Sequence, residues 1–160
     1  MKVLVPYVWP LHPLVVRVLR GAAWEVATAL VGPPMGDAAY PDLLLRHFRE
    51  GAAFCVVEHD VLPWPGALAE LAACPEPWCG YAYSPGRHLR VPTLGCVRFR
   101  AEFLAAVADA LTVDAWRVDL FPRTWQYVDQ QIAVTARRRG FEWHQHFPAV
   151  THAHWFADPW

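Results

Sequence analysis

The sequence predicts one α/β domain in which a mainly parallel central sheet is flanked by helices. Short apolar runs alternate with helical patterns from Lys2 to about Ala73, and such alternation is typical of βαβ units. The run at residues 2–8 is continuously apolar, as in a strand that is covered on both faces. The chain has 160 residues, of which 55% are hydrophobic and 18% charged, and this composition suits a single globular domain.

The first half of the chain contains three strands and three helices in alternation. Pro13 suits the first position of one helix, and Pro41 and Gly51 suit the two ends of the next. The predicted strands are "KVLVPYV" (2–8), "WEVATALVG" (24–32) and "AFCVV" (53–57), and the predicted helices are "HPLVVRVLRG" (12–21), "YPDLLLRHFREG" (40–51) and roughly residues 65–73.

The second half is less regular. Strands are predicted at 78–84 and 93–99 and helices at 100–111 and 127–140, whereas residues 112–125 lack a period and are expected to form a surface loop. The segment "FEWHQHFPAVTHAHW" closes the pattern without an assigned element. The sequence shows no repeat and no linker, so residues 1–160 are expected to form one domain.

Composition excludes several classes of function. Fourteen basic and fifteen acidic residues give a formal net charge of −1, which argues against broad nucleic-acid binding and against attraction to an anionic membrane.

Four cysteines are too few for a disulfide scaffold, and "CPEPWC" (74–79) lacks a second pair that would complete a zinc site. The N-terminal apolar stretch is too short to span a bilayer and has no cleavage site, so a cytoplasmic location is expected.

Two acids follow the third predicted strand in "AAFCVVEHDVLPWPGAL" (52–68). In extended backbone Glu58 and Asp60 would share a face, with their Cα atoms about 6–7 Å apart. Carboxylates that face each other repel unless a cation lies between them, and Mg²⁺ or Mn²⁺ suits their hard oxygens. The alternative is a solvated strand exit. The carboxyl end of a strand in an open α/β sheet, where ligands bind, favours an ion site.

The segment "VVEHDVLPWPGAL" resembles the acid-x-acid (D-x-D) segment of small, family-2-like glycosyltransferases with the GT-A fold, with Glu in place of the first Asp. "TLGCVRFRAEFLAAV" is similar to the next landmark of that fold, a glycine-containing strand that leads into a helix beneath the acceptor site. "WQYVDQQIAVTARRRGFEW" resembles the landmark after it, in which an acid opens a helix with a basic end. "VPYV" is similar to the first strand, which lines the nucleotide pocket, and "VTHAHW" takes the place of a late metal-binding histidine.

The resemblance implies an inverting, metal-dependent glycosyltransferase that uses a nucleotide-sugar donor, a UDP- or GDP-sugar. Residues 1–73 would form the nucleotide-binding half and residues 74–160 the acceptor and catalytic half. The domain is small for this family, which implies a minimal acceptor half or one completed by a second subunit of a homo-oligomer. The residues implied in nucleotide or substrate binding are Pro6, Tyr7, Glu58, Asp60, Gly95 and Trp125.

The implied metal ligands are carboxylates and late histidines. Asp60 would bind the Mn²⁺ or Mg²⁺ ion that bridges the donor's diphosphate, and Glu58 would contact the ion or the donor. Four histidines lie between residues 144 and 154, and an imidazole would complete a Mn²⁺ site. The order of preference is His152, His154 and then His144.

Asp129 is the candidate general base. The predicted packing face of its helix is Val128, Ile132 and Ala136, and Asp129 lies about 100° from its centre. A positioned carboxylate can accept the proton of an acceptor hydroxyl. The alternative is a favourable charge in the first turn of a helix, and the resemblance favours the catalytic interpretation.

Two other functions remain open from the sequence. The late histidines could form their own zinc site, as in a zinc-dependent hydrolase. The small chain could also be a non-catalytic module that binds a nucleotide sugar or a glycan. Aromatic faces suit bases and sugars, and the tryptophans expected near the cleft, each with core packing as its alternative, are Trp64, Trp116, Trp125 and Trp155.

Overall fold

The computed structural model describes residues 1–8, 11–20, 24–31, 38–83, 92–111 and 128–152. These ranges contain seven strands and five helices. The strands are β1 (Lys2–Tyr7), β2 (Glu25–Leu30), β3 (Phe54–Val57), β4 (Val61–Leu62), β5 (Trp78–Tyr83), β6 (Cys96–Phe99) and β7 (His144–His152). The helices are α1 (Pro13–Arg20), α2 (Ala39–Glu50), α3 (Ala67–Ala73), α4 (Ala101–Val107) and α5 (Val128–Arg138).

The strands form one sheet in the order β2-β1-β3-β6-β5-β7-β4. Strand β1 is parallel to β2 and β3, β6 is antiparallel to β3 and β5, β7 is parallel to β5, and β4 is antiparallel to β7. Five of the seven strands therefore run in one direction, and the prediction of a mainly parallel sheet flanked by helices is confirmed. The closing segment, to which the sequence assigned no element, contributes β7.

Two hydrophobic clusters cover the two faces of this sheet. Alternate residues of β3 belong to different clusters: Phe54 and Val56 lie in the first, and Cys55 and Val57 lie in the second. Helices α2, α4 and α5 contribute to the first cluster, and α1 and α3 contribute to the second. Burial on both faces explains why β1 and β3 read as continuous apolar runs, whereas the edge strand β2 is exposed or half-buried throughout.

Two glycines meet local requirements of the backbone. Gly51 ends α2 in the left-handed conformation, with φ of +68°, and its N–H donates to the carbonyl of Phe48 at 3.2 Å. This is the stop that the sequence predicted for that helix. Gly80 in β5 lies so close to its neighbours that a Cβ would be 2.5 Å from the Trp143 ring and 2.6 Å from the Cys96 carbonyl oxygen.

Candidate active site

A tight turn follows β3 and carries both acids. The strand ends at Val57, and the N–H of Val61 donates to the carbonyl of Glu58 at 3.0 Å. The expectation that Glu58 and Asp60 share a face of an extended strand is therefore wrong. The chain turns here because β4, which begins at Val61, pairs with β7 at the edge of the sheet.

The described contacts hold Glu58 at both its backbone and its side chain. Its N–H donates to the carbonyl of Gly95 at 2.9 Å, just before β6 begins. The Tyr40 hydroxyl donates to Oε1 of Glu58 at 2.9 Å, and Tyr40 itself is buried in the first cluster. The core on the α2 side thus orients this carboxylate, while Asp60 is half-buried within the turn.

The sheet brings other predicted site residues to the same edge. Leu4 of β1 pairs with Val56 of β3 in parallel, so Pro6, two residues further along β1, lies towards the same edge of the sheet as the turn. Tyr7 follows Pro6, and its carbonyl accepts the N–H of Val31 at 2.9 Å. The Gly95 segment therefore lies beside the turn, and the end of β1 points towards the same edge of the sheet.

The end of β7 lies on the far side of the turn. The backbone of His152 pairs with Val61, the residue directly after Asp60. This places His152 at the edge where a late histidine ligand was predicted. His154 and Trp125 lie outside the described residues.

Asp129 is the second residue of α5 and is half-buried. Val128, Ile132 and Ala136 are fully buried, as predicted. Val128 belongs to the same hydrophobic cluster as Tyr40, the tyrosine that binds Glu58. Asp129 thus lies at the start of a helix that packs on the same face of the sheet as Tyr40, the residue that binds Glu58.

The environment of Asp129 suits a proton acceptor. Burial raises the pKa of its carboxyl above the ordinary value of 3.8, against the lowering effect of backbone N–H groups. One of these is the N–H of Gln130, which donates to Oδ1 at 2.7 Å. A carboxylate with a raised pKa binds a proton more readily, as general-base catalysis requires.

Trp64 takes the core alternative. Its ring meets Tyr81 edge-to-face, with centroids 6.0 Å apart, and it packs against the second cluster. Trp116 and Trp155 lie outside the described residues.

A second group of side chains was missed by the sequence analysis. Cys74, Cys79 and His146 bring their potential ligand atoms within 4.8 Å of one another. The cysteine spacing was visible, but the third member comes from β7, which pairs with β5 only in the folded chain. The signal available in the sequence was the pair Cys74 and Cys79 together with the later histidines, which include His146.

Comparisons with known proteins agree with the fold. No family model and no curated protein sequence matches the chain. One similar solved structure is A197 from STIV, with a TM-score of 0.56 and 11% identity over 93% of this chain and 82% of that one. Another is a glycosyltransferase involved in the glycosylation of the major capsid of PBCV-1, with a TM-score of 0.54 and 12% identity over 94% and 92%.

A third similar structure is a mutant of Drosophila β1,4-galactosyltransferase 7 in complex with manganese, UDP-Gal and xylobiose. Its TM-score is 0.55, with 11% identity over 95% of this chain and 67% of that one. At such identities the likeness is one of fold, and it shows that the fold is GT-A-like. Within the part of the chain that the structure describes, no helix is both long enough and apolar enough to cross a bilayer.

Proposed function

We propose that the chain is a divalent-cation-dependent glycosyltransferase that moves a sugar from a nucleoside diphosphate to an acceptor hydroxyl. The observation that carries the proposal is the turn at the carboxyl end of β3. It presents Glu58 and Asp60 at the edge of a GT-A-like sheet, beside Gly95 and the backbone of His152. Ligands of open α/β sheets bind outside this end of the strands.

The carboxylate oxygens that the turn offers as metal ligands fit Mn²⁺ or Mg²⁺. Two carboxylates supply hard oxygen ligands, and the Tyr40 hydrogen bond restricts Glu58 before any ion binds. In this proposal Asp60 holds the ion, Glu58 contacts the ion or the donor, and His152 or His154 adds an imidazole. The ion would neutralise the charge that develops on the leaving diphosphate.

The nucleotide is proposed to lie over the first half of the sheet. Pro6 and Tyr7 end β1 next to the turn, and an open cleft lies alongside at the end of β2 and the start of α2. The cleft is lined by Ala29, Leu30, Val31, Ala39, Asp42, Leu43 and Arg46. A UDP- or GDP-sugar is the proposed donor class, which is supported by the similar structure that contains UDP-Gal and manganese.

Asp129 is proposed to receive the proton of the acceptor hydroxyl as that oxygen attacks the anomeric carbon. The bond from this carbon to the diphosphate breaks on the opposite side, so the configuration inverts. A retaining enzyme would need no base at this position, whereas the raised pKa of Asp129 suits one.

The test is a thermal-shift titration with UDP and GDP, each with and without Mn²⁺. In the wild-type chain Mn²⁺ is expected to increase the stabilisation by the nucleotide, because a ligand that binds only the folded state raises the melting temperature. Asp60→Asn is expected to lose the Mn²⁺-dependent increase, measured as a shift from the melting temperature of the same variant without ligand.

Asp109→Asn is the matched control, because Asp109 is an exposed acid paired with Arg139 and should leave the Mn²⁺ effect intact. If Asp60→Asn responds to nucleotide and Mn²⁺ like the wild type, the proposal is wrong. Nucleotide binding without transfer or hydrolysis of any donor would instead identify a binding module.

A further inference from the structure

Three side chains of metal-ligating type meet inside the protein, where α3 ends and β5 and β7 lie side by side. Cys74 follows α3, Cys79 is the second residue of β5, and His146 lies in β7. Their exposed fractions are 5%, 0% and 9%. The sulfur and imidazole nitrogen atoms lie within 4.8 Å of one another, whereas the ligands of a tetrahedral zinc ion lie about 3.3–3.8 Å apart. Metal binding would therefore require the side chains to rotate towards one another.

The imidazole of His146 is already oriented for metal binding. Its Nδ1 lies 2.7 Å from Oε1 of Glu70, and its Nε2 is buried without a hydrogen-bond partner among the described residues. Metal-ligating histidines usually donate the other ring N–H to a carboxylate, which fixes the tautomer. A buried polar atom without a partner costs free energy, and a bound cation would remove this cost.

The carboxylate behind the imidazole is itself held. The Tyr81 hydroxyl donates to Oε2 of Glu70 at 2.7 Å, and the Tyr81 ring packs against His146 with centroids 5.3 Å apart. In the proposed site Glu70 would accept the N–H of Nδ1, which would leave the lone pair of Nε2 for the metal ion.

The segment that carries Cys74 is held by a buried arginine. Arg98 of β6 is 4% exposed, and its guanidinium donates to the carbonyls of Ala72 and Glu76, one on each side of Cys74. Contacts from Glu70 and Arg98 thus hold His146 and the Cys74 segment, while Cys79 is fixed within β5. Thiolate and imidazole ligands select zinc over Mg²⁺ or Mn²⁺.

This cluster is separate from the candidate active site. Strands β3 and β5 run in the same direction, because both are antiparallel to β6. Cys79 lies near the start of β5, whereas Glu58 and Asp60 follow the end of β3. The two sites also differ in chemistry, since one offers sulfur and nitrogen and the other offers carboxylate oxygen.

We propose that Cys74, Cys79 and His146 bind a Zn²⁺ ion that ties α3 and β5 to β7. Glu70 acts behind His146 as the carboxylate that orients it, and the fourth position of the ion is left to a ligand that these three side chains do not supply. The ion would fix the part of β7 that precedes His152, and the site does not depend on the proposed sugar transfer.

The test measures metal content and Co²⁺ binding in the reduced, full-length chain. Wild-type protein is expected to carry about one Zn²⁺ per chain. After removal of zinc, added Co²⁺ should produce the visible absorption bands of tetrahedral Co²⁺ together with thiolate charge-transfer bands. Cys74→Ser is expected to lose these bands, and Glu70→Gln to bind Co²⁺ about 10–100-fold more weakly.

Cys55→Ser is the matched control, because Cys55 is an equally buried thiol on the same face of the sheet outside the cluster. It should retain one metal ion. The proposal is overturned if the reduced wild-type chain binds neither Zn²⁺ nor Co²⁺, or if Cys55→Ser abolishes binding as Cys74→Ser does. The proposal would also be overturned if Cys74 and Cys79 form a disulfide bond in the native protein. Alkylation of denatured protein without reductant tests this, because it labels only free thiols. The wild-type experiments decide the question even if a variant fails to fold.

Discussion

At the scale of single residues, Asp129 combines a structural cost with a proposed role. Its neighbour Val128 is fully buried, so the start of α5 is pulled against the core and the Asp129 carboxyl is partly removed from water. Sequence periodicity predicted the buried face and placed Asp129 beside it. The shift of its pKa depends on the packed environment, which periodicity does not describe.

Asp129→Asn is expected to lower the rate of sugar transfer by about 10²–10⁴-fold, the usual contribution of a general base. Binding of the donor nucleotide with Mn²⁺ should be unchanged, because Asn keeps the size and can still accept the Gln130 N–H. Steady-state kinetics and nucleotide titrations measure the two effects. An equal loss of binding and of rate would show that Asp129 acts on the donor and not as a base.

The same substitution makes a prediction about stability and pH. Because burial raises the pKa of Asp129 in the folded state, the folded chain binds more protons than the unfolded chain between the ordinary and the raised pKa. Stability contributed by this group therefore falls as pH rises through that window. Asp129→Asn should be more stable than the wild type at neutral pH, and the difference should vanish at about pH 4 or below. Urea unfolding at both pH values measures it, and a variant less stable at neutral pH would contradict the direction.

At the scale of elements, the contact of β5 with β6 and the segment before β7 depends on Gly80. Trp143 packs over this position and also meets Trp78, with ring centroids 5.1 Å apart. A side chain at position 80 would push into an indole ring on one side and a backbone carbonyl on the other. The carbonyl cannot move without displacing β6.

Gly80→Ala is therefore expected to destabilise the fold by about 1–3 kcal/mol or more, as overpacking does. Gly51→Asn is the control, because that position has open space around it and Asn tolerates the left-handed conformation. The control should cost less than about 1 kcal/mol. Denaturant unfolding measures the free energy of unfolding of both variants. An equal decrease in the two variants would show that the close packing around Gly80 does not limit the side chain at that position.

The elements also show what the sequence could reveal. The apolar runs and the helix stops at residues such as Gly51 predicted β1 to β3 and the helices between them, although β2 itself is exposed or half-buried. Strand β4 has two residues, too few for a period. Whether β6 pairs parallel or antiparallel is set by its connections and neighbours. The apolar run at 96–99 therefore predicted a strand but not the orientation of that strand in the sheet.

At the scale of the whole molecule, the sheet order joins residues that are far apart in sequence. Glu58, Asp60 and Gly95 were predicted from short motifs, and pairing of the strands explains how they reach one edge. The turn geometry at Glu58 was not predictable, because it depends on β4 pairing with β7. The proximity of His146 to Cys74 and Cys79 has the same cause, since it depends on the pairing of β7 with β5, which are far apart in sequence.

The central claim is that a divalent cation binds at the carboxyl edge of the sheet and holds a nucleoside diphosphate. The most direct measurement is a crystal structure with Mn²⁺ and UDP or GDP, phased to show anomalous scattering from manganese. The account predicts a manganese peak about 2.0–2.3 Å from a carboxylate oxygen of Asp60, with the diphosphate on its other side. A manganese-bound nucleotide located away from both Asp60 and Glu58 would contradict the account.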